Sequence, residues 1–190
     1  AGKINWPHSV SLGKPHSGYL YNPVQLKNSE RLSVRKYKNY ATAETVKAIE
    51  TAIDAVHEVF PGSPRLPVGN ISRKAGGHFP PHKSHQNGRD ADIAYFLKVG
   101  HHPRHLQLAT KRTIDAKRTW IFLESMIKRG ELQIAFIDYR LQGPMYRYAT
   151  QERGWTPEQM RRIMAYPNGR GQRAPIIRHL RGHADHMHVR

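Results

Sequence analysis

The sequence predicts an α+β fold, with a small, mainly antiparallel sheet flanked by helices and long loops in one domain over residues 1–190. Two stretches repeat apolar residues at three- and four-residue spacing, which is the helical period, and several short runs alternate apolar with polar residues, which is the strand period. Helices and strands also follow one another without the regular β-α-β alternation of a parallel sheet. A length of 190 residues suits a single unit with its own core.

The elements follow in order. Residues 1–40 are polar and loop-rich, with Pro7, Pro15 and Pro23. Within them GYLYNPVQL predicts a short strand, with Tyr19, Leu20 and Tyr21 as packing residues. From Thr42 to Phe60, Val46, Ile49, Ile53, Val56 and then Val59 or Phe60 form one apolar stripe; Thr42 is a suitable N-cap and Pro61-Gly62 ends the helix. RLPVGNIS reads as a strand that leaves the core at Asn70 and enters a loop with Gly76 and Gly77. GRDADIAYFL is a strand with Asp90, Asp92 and Ala94 on one face and Ala91, Ile93 and Tyr95 on the other. Residues 99–110 are a histidine-rich loop or the start of a helix.

A second helix is expected from Thr113 to Arg129, carrying Trp120, Leu123 and Ile127, with Gly130 at its C-terminal end. LQIAFID predicts a strand in which Leu132, Ile134 and Phe136 alternate with Gln133 and Ala135. Two short helices are expected near 144–152 and 156–165, the latter capped by Thr156 with Pro157 in its first turn. A loop rich in Gly, Pro and Arg spans 167–175, and HMHVR ends the chain as a strand.

Composition narrows the chemistry. There is no cysteine, so disulfides and thiolate ligands are excluded, and a firmly held metal must use His, Asp or Glu. No stretch reaches the roughly 18 apolar residues of a membrane span. The sequence starts at Ala1 without a signal peptide, as expected of a processed form or a trimmed chain. The net charge of +17 would draw polyanions, whether nucleic acid, acidic lipid or an anionic cell wall; its alternative role is solubility alone. The basic residues are spread along the chain rather than gathered in a tail. Thirteen residues are histidine. Most fall in two windows, His78, His82, His85, His101, His102 and His105, then His179, His183, His186 and His188.

The first window contains HKSHQNGRDAD. A polar turn at Gln86-Asn87-Gly88 lets the chain double back, so that His85 stands above the strand that Asp92 enters. The alternative is a loop histidine and a strand-edge aspartate with ordinary hydrogen bonds. The second window contains HADHMHVR. A period of two places His186, His188 and Arg190 on one strand face and Met187 and Val189 on the other. The alternative is a basic tail, or a tag remnant, which the interrupted pattern argues against. Taken together the windows suit a catalytic zinc, which uses three protein ligands and keeps a fourth position for water. His85, Asp92 and His188 fit that count. His186, two residues from a ligand on the same face, is a natural general base, and His183 a second donor to an oxyanion. Asp90 and Asp185 could orient histidines from behind, or be solvated carboxylates. The helix-borne H-E-x-x-H motif, the G-x-S-x-G elbow, the Walker loop and the dinucleotide fingerprint are all absent.

These blocks resemble the zinc metallopeptidases that include lysostaphin-type endopeptidases, D-Ala-D-Ala peptidases and the hedgehog zinc domain. GGHFPPHKSHQNGRDADI with HADHMHVR resembles, more narrowly, the penicillin-insensitive murein endopeptidases. The matching positions are Gly76, Gly77, His82, Ser84, His85, Gln86, Gly88, Asp90, Asp92 and Ile93, then His183, His186, Met187, His188, Val189 and Arg190. The resemblance implies zinc held by His85, Asp92 and His188. It implies His186 as catalytic base, His183 stabilising the tetrahedral intermediate, and His82 as an accessory ligand or substrate contact. Asp90 and Arg190 fall within the motifs as accessory residues.

The implied substrate is the peptide cross-link of peptidoglycan, at D-alanyl to meso-diaminopimelyl bonds and also the diaminopimelyl to diaminopimelyl type. An exported enzyme, periplasmic or secreted, is expected, drawn to anionic walls by its charge. A second metal near His82 with His101, His102 and His105 is weighed against an exposed basic loop. The rival activities are a zinc D-Ala-D-Ala carboxypeptidase or dipeptidase, and a basic wall-binding or nucleic-acid-binding module with a structural zinc. The lack of any DNA-binding motif makes a nucleic-acid partner the weaker expectation.

Overall fold

The computed structural model describes residues 8–98 and 105–190. The described chain runs through β1 (Val10–Lys14), β2 (Ser17–Tyr21), β3 (Val24–Gln25), β4 (Leu32–Val34), β5 (Tyr40–Ala41), α1 (Ala43–Val59), β6 (Leu66–Val68) and β7 (Ala91–Ala94). It continues through α2 (Ala116–Lys128), β8 (Ala135–Phe136), α3 (Tyr139–Glu152), α4 (Pro157–Ile163), β9 (Ile177–Arg178) and β10 (His186–Val189). The main sheet has the order β4-β6-β7-β10-β8-β9. Its central pairings, β6 with β7, β7 with β10 and β10 with β8, are antiparallel, while the outer pairs β4 with β6 and β8 with β9 are parallel. β1 with β2 and β3 with β5 form two smaller antiparallel ladders. The α+β expectation with a mainly antiparallel sheet is what forms.

The helices follow their capping residues. Thr42 Oγ1 accepts the Thr45 amide at 3.2 Å, and Val46, Ile49, Ile53 and Val56 are buried. Burying each such side chain contributes roughly 1.5–3 kcal/mol. α2 begins at Ala116, three residues later than expected. Ile114 is held in a bridge to Leu97 and Thr113 accepts the Lys98 amide, so this stretch pairs instead of coiling, and Asp115 caps through the Arg118 amide. α3 begins at Tyr139 rather than near 144, because Asp138 supplies the cap and the helix accepts Pro144 within its early turns. Thr156 and Gln159 close a reciprocal capping box at α4.

Other expectations need correcting. Residues 8–40 hold β1 to β4 and the first residue of β5, not mainly loop, because the β1–β2 hairpin and the parallel β4–β6 pair take up their backbone groups. In β2, Leu20 is buried, but Tyr19 and Tyr21 are exposed, since the strand period sends neighbours to opposite sides. In 132–137 only Ala135–Phe136 joins the ladder. Ala135 takes the core position that was expected for Phe136, and the Phe136 ring turns to the opposite face. No helix begins in residues 105–110; His101 and His102 lie outside the described residues.

One apolar cluster extends from Leu26 to Val189. α1 packs on α2, and α2 on α3. Ala91, Ile93, Met187 and Val189 turn into this cluster from β7 and β10. Asp92 and His188, on the same strands, therefore stand on the other face of the sheet.

Candidate metal centre

The β7–β10 ladder brings the two sequence windows together. Its antiparallel register sets His188 opposite Asp92 and His186 opposite Ala94. Side chains directly opposite on one face have Cβ atoms about 5 Å apart, so the ladder alone places the imidazole beside the carboxylate. His85 reaches the same point by a different route. Its backbone is left-handed, at φ 67°, in the turn that leads to Gly88. Its amide donates to Asp90 Oδ2 at 2.9 Å, which clamps the turn onto the start of the strand. Two glycines make room for it. At Gly76 (φ +69°) a Cβ would stand 2.2 Å from Gln86 O, and at Gly88 (φ +75°) 2.8 Å from a Leu20 methyl.

Three imidazole nitrogens converge on one carboxylate oxygen. Asp92 Oδ1 lies 3.0 Å from His188 Nδ1, 3.1 Å from His85 Nε2 and 3.6 Å from His186 Nε2. Asp92 Oδ2 faces His82 Nδ1 at 3.8 Å. Donor atoms of His82, His85 and Asp92 all lie within 4.8 Å of one another, a metal-sized grouping. His85, Asp90, Asp92 and His188 are buried, so the cluster sits at the floor of the site.

The outward contacts fix where the ring protons lie. His85 Nδ1 donates to Ile71 O at 2.9 Å, which leaves Nε2 as a lone pair. That Nε2 is buried with no hydrogen-bond partner, although Asp92 Oδ1 is close, because two acceptors face each other. Such a pair is costly unless a cation lies between them. His188 has carboxylates at both nitrogens, Asp92 at Nδ1 and Asp90 at Nε2, the latter at 3.1 Å. Burial alone would lower the pKa of His188, but these two carboxylates raise it to about 9. Burial would raise Asp90, yet His188 and Arg190 hold it at about 2. Arg190 Nε donates to Asp90 Oδ1 at 2.6 Å. Asp92 is likewise held well below the carboxylate range, against burial, chiefly by the His188 hydrogen bond.

His186 Nδ1 donates to Asp185 Oδ1 at 2.7 Å, so its Nε2 lone pair faces the cluster. His183 precedes β10 in a loop; its ring centroid is 4.9 Å from that of His186, and its Nδ1 makes a long contact, 3.3 Å, to Arg181 O. Burial and the neighbouring His186 lower the His183 pKa. His82 accepts from Asn70 Nδ2 at Nε2 (2.8 Å), and burial lowers its pKa. The structure thus gathers His82, His85, Asp90, Asp92, His183, His186, His188 and Arg190. His105 lines a separate cleft with Ser33, Arg35 and Lys36.

Some contributors had no signal in the sequence. Tyr95 donates from its hydroxyl to His183 O at 2.8 Å. Phe136 lies 5.7 Å from the His188 ring and 5.9 Å from the His183 ring. The Ile71 carbonyl is a backbone atom, invisible to any motif. Asn70, expected where the chain leaves the core, instead lies two residues beyond β6 in a stretch that stays buried through Ile71 and Ser72.

The family profile described as penicillin-insensitive murein endopeptidase matches residues 13–142, about two thirds of the chain. The chain belongs to this family. Membership makes it a peptidoglycan hydrolase, and the matched stretch carries His82, His85, Asp90 and Asp92. His183, His186 and His188 lie beyond the match; the β7–β10 register ties His186 and His188 to the matched segment, and the Tyr95 and Asp138 bonds to its carbonyl tie His183. No individual curated protein matches the chain significantly. Among the described residues, no helix is long and apolar enough to cross a membrane.

Proposed function

We propose that the chain is one zinc metallopeptidase domain over residues 1–190. Its substrates are D-Ala–meso-diaminopimelyl cross-links of peptidoglycan, with diaminopimelyl–diaminopimelyl links as a second class. The reading rests on one observation above all, the convergence of His85 Nε2 and His188 Nδ1 on Asp92 Oδ1. An orphaned buried nitrogen, a second nitrogen and a carboxylate oxygen are the donor set of a catalytic zinc site without thiolates. His85, Asp92 and His188 would hold the ion. His82, whose donor atoms lie within 4.8 Å of those of His85 and Asp92, would serve as an accessory ligand or a substrate contact. When bound, zinc supplies Lewis acidity to the scissile carbonyl and to a water nucleophile.

The remaining steps belong to the protein. His186 Nε2 takes the proton of the attacking water, and Asp185 steadies the imidazolium that results. The proton then passes from His186 to the leaving amine. His183, on releasing its long contact to Arg181 O, turns an N–H toward the oxyanion. Asp90 orients His188 from behind, and Arg190 neutralises Asp90. An exported enzyme, periplasmic or secreted, follows from a wall substrate, and the +17 charge favours its accumulation on anionic walls.

Digestion of purified cross-linked muropeptides, with and without a chelator and read by mass spectrometry, tests the proposal. The expected result is conversion of dimers to monomers, abolished by chelator and restored by zinc. Release of terminal D-Ala with cross-links intact would replace it with a carboxypeptidase, and no cleavage by zinc-loaded protein would overturn it. His188→Ala should lose the metal while His82→Ala retains it.

A further inference from the structure

A cleft of about 410 Å³ opens beside His183, lined by Asp138, Arg140, Arg170, His179 and Arg181. Its charges do not balance. Asp138 is taken up by Arg140, at 2.9 Å. Arg170 and Arg181 have no carboxylate within ion-pair distance among the described residues. Arg170 lies over the Tyr139 ring, 5.8 Å from its centroid, and Tyr139 in turn bonds the Pro167 carbonyl, so this side of the cleft is braced. His179 is fixed as well: the Tyr139 amide donates to its Nδ1 at 3.0 Å, so the neutral ring carries its proton on Nε2. The cleft therefore presents two unpaired guanidinium groups and an N–H donor, which together suit a carboxylate.

Its connection to the metal cluster is covalent and short. Arg181 is two residues from His183, whose carbonyl accepts from both the Asp138 amide (3.1 Å) and the Tyr95 hydroxyl (2.8 Å). The same loop thus carries an oxyanion-side histidine and a cationic cleft wall. We infer that Arg170, Arg181 and His179 form a specificity subsite that binds a free carboxylate of the peptide substrate while its scissile amide lies over Asp92. The inference rests on the peptidase reading for what the ligand is, and the cleft's unpaired charge carries the rest.

The test is equilibrium binding, by titration calorimetry, of one muropeptide with its C-terminal carboxylate free and the same muropeptide amidated there, to zinc-loaded His186→Ala protein, which should bind without turning the peptide over. The free acid is expected to bind roughly tenfold tighter or more, the gain of one or two charge-assisted hydrogen bonds. Arg170→Gln with Arg181→Gln should erase that difference. Lys27→Gln with Lys47→Gln, which removes as much charge elsewhere, should leave it in place. Equal affinity for acid and amide, no binding of either, or a difference that survives the arginine changes would overturn the subsite. Turnover of the same peptides by the parent enzyme separates the two ideas. Preference for the acid without cleavage counts against the peptidase reading alone; cleavage without preference counts against the subsite alone.

Discussion

Asp90 Oδ1 accepts from Arg190 Nε and lies 3.1 Å from His188 Nε2, so one carboxylate anchors both the last histidine of β10 and the arginine that follows the strand. The contact leaves His188 Nδ1 as the atom turned to Asp92. Asp90→Asn should keep the fold but weaken the lock on the ring. Loss of such an outer partner typically lowers metal affinity by roughly 10–100-fold. Competition against a zinc-binding dye would measure it, and unchanged affinity would show that Asp90 serves only the structure.

His186→Ala separates ligand from base. The variant should bind zinc in the parent's stoichiometry and lose roughly a hundredfold or more in kcat. Metal analysis of the purified variant, beside its rate on muropeptide dimers, decides the point; loss of the metal would make His186 a ligand.

Gly76→Ala addresses the turn that presents His85. A left-handed φ of +69° and a backbone oxygen 2.2 Å from the new Cβ leave no room for a small adjustment. Destabilisation of about 2 kcal/mol or more is expected from urea denaturation. A smaller loss would mean that the 73–77 loop can move away from Gln86 without cost to the fold.

Away from the site, Glu124 sets an acid limit. It is buried, accepts from Trp155 Nε1 at 2.5 Å and from Arg153, and lies near Lys128. Burial alone would raise its pKa, but these partners hold it below the usual value. A folded pKa below the unfolded one gives stabilisation that is present above the unfolded value, about 4.3, and is lost as pH falls through the folded value. Glu124→Gln should therefore cost about 2 kcal/mol at pH 7, with the gap to the parent closing below about pH 4. Thermal melts at the two pH values check this; a gap independent of pH would assign the effect to shape rather than charge.

The positive field predicts a larger salt effect on whole walls than on small substrates. Digestion of intact sacculi should slow steeply as ionic strength rises, while small soluble muropeptide dimers, which carry only a few charges, should slow much less. Parallel slowing of both would place the salt effect in the site itself.

Much of this arrangement was legible before folding, for a physical reason. Period-two alternation in ADIA and HMHV fixes which side chains share a face, so Asp92, His186 and His188 could be assigned together from spacing. The stripe Val46, Ile49, Ile53, Val56 likewise announced α1 and its Thr42 cap. What stayed hidden depends on long-range neighbours. Ile114 pairs with Leu97, which delays α2, and Phe136 faces the histidines only because Ala135 meets the core. The Ile71 carbonyl and the Tyr95 hydroxyl act on the site across 14 and 88 residues of chain, with no local pattern to betray them.

The meeting of Asp92 and His188 spans 96 positions of sequence, in a chain with no cysteine to cross-link it. A cation shared by the two strands would act as a reversible clasp between the middle and the end of the polypeptide. Its strength would be set by the free ion concentration rather than by a covalent bond, reaching roughly 4 kcal/mol at a thousandfold excess over the dissociation constant. Supply of the ion would then govern how long the folded enzyme survives as well as how fast it works, and scarcity would retire the protein to proteolysis before it merely idled it.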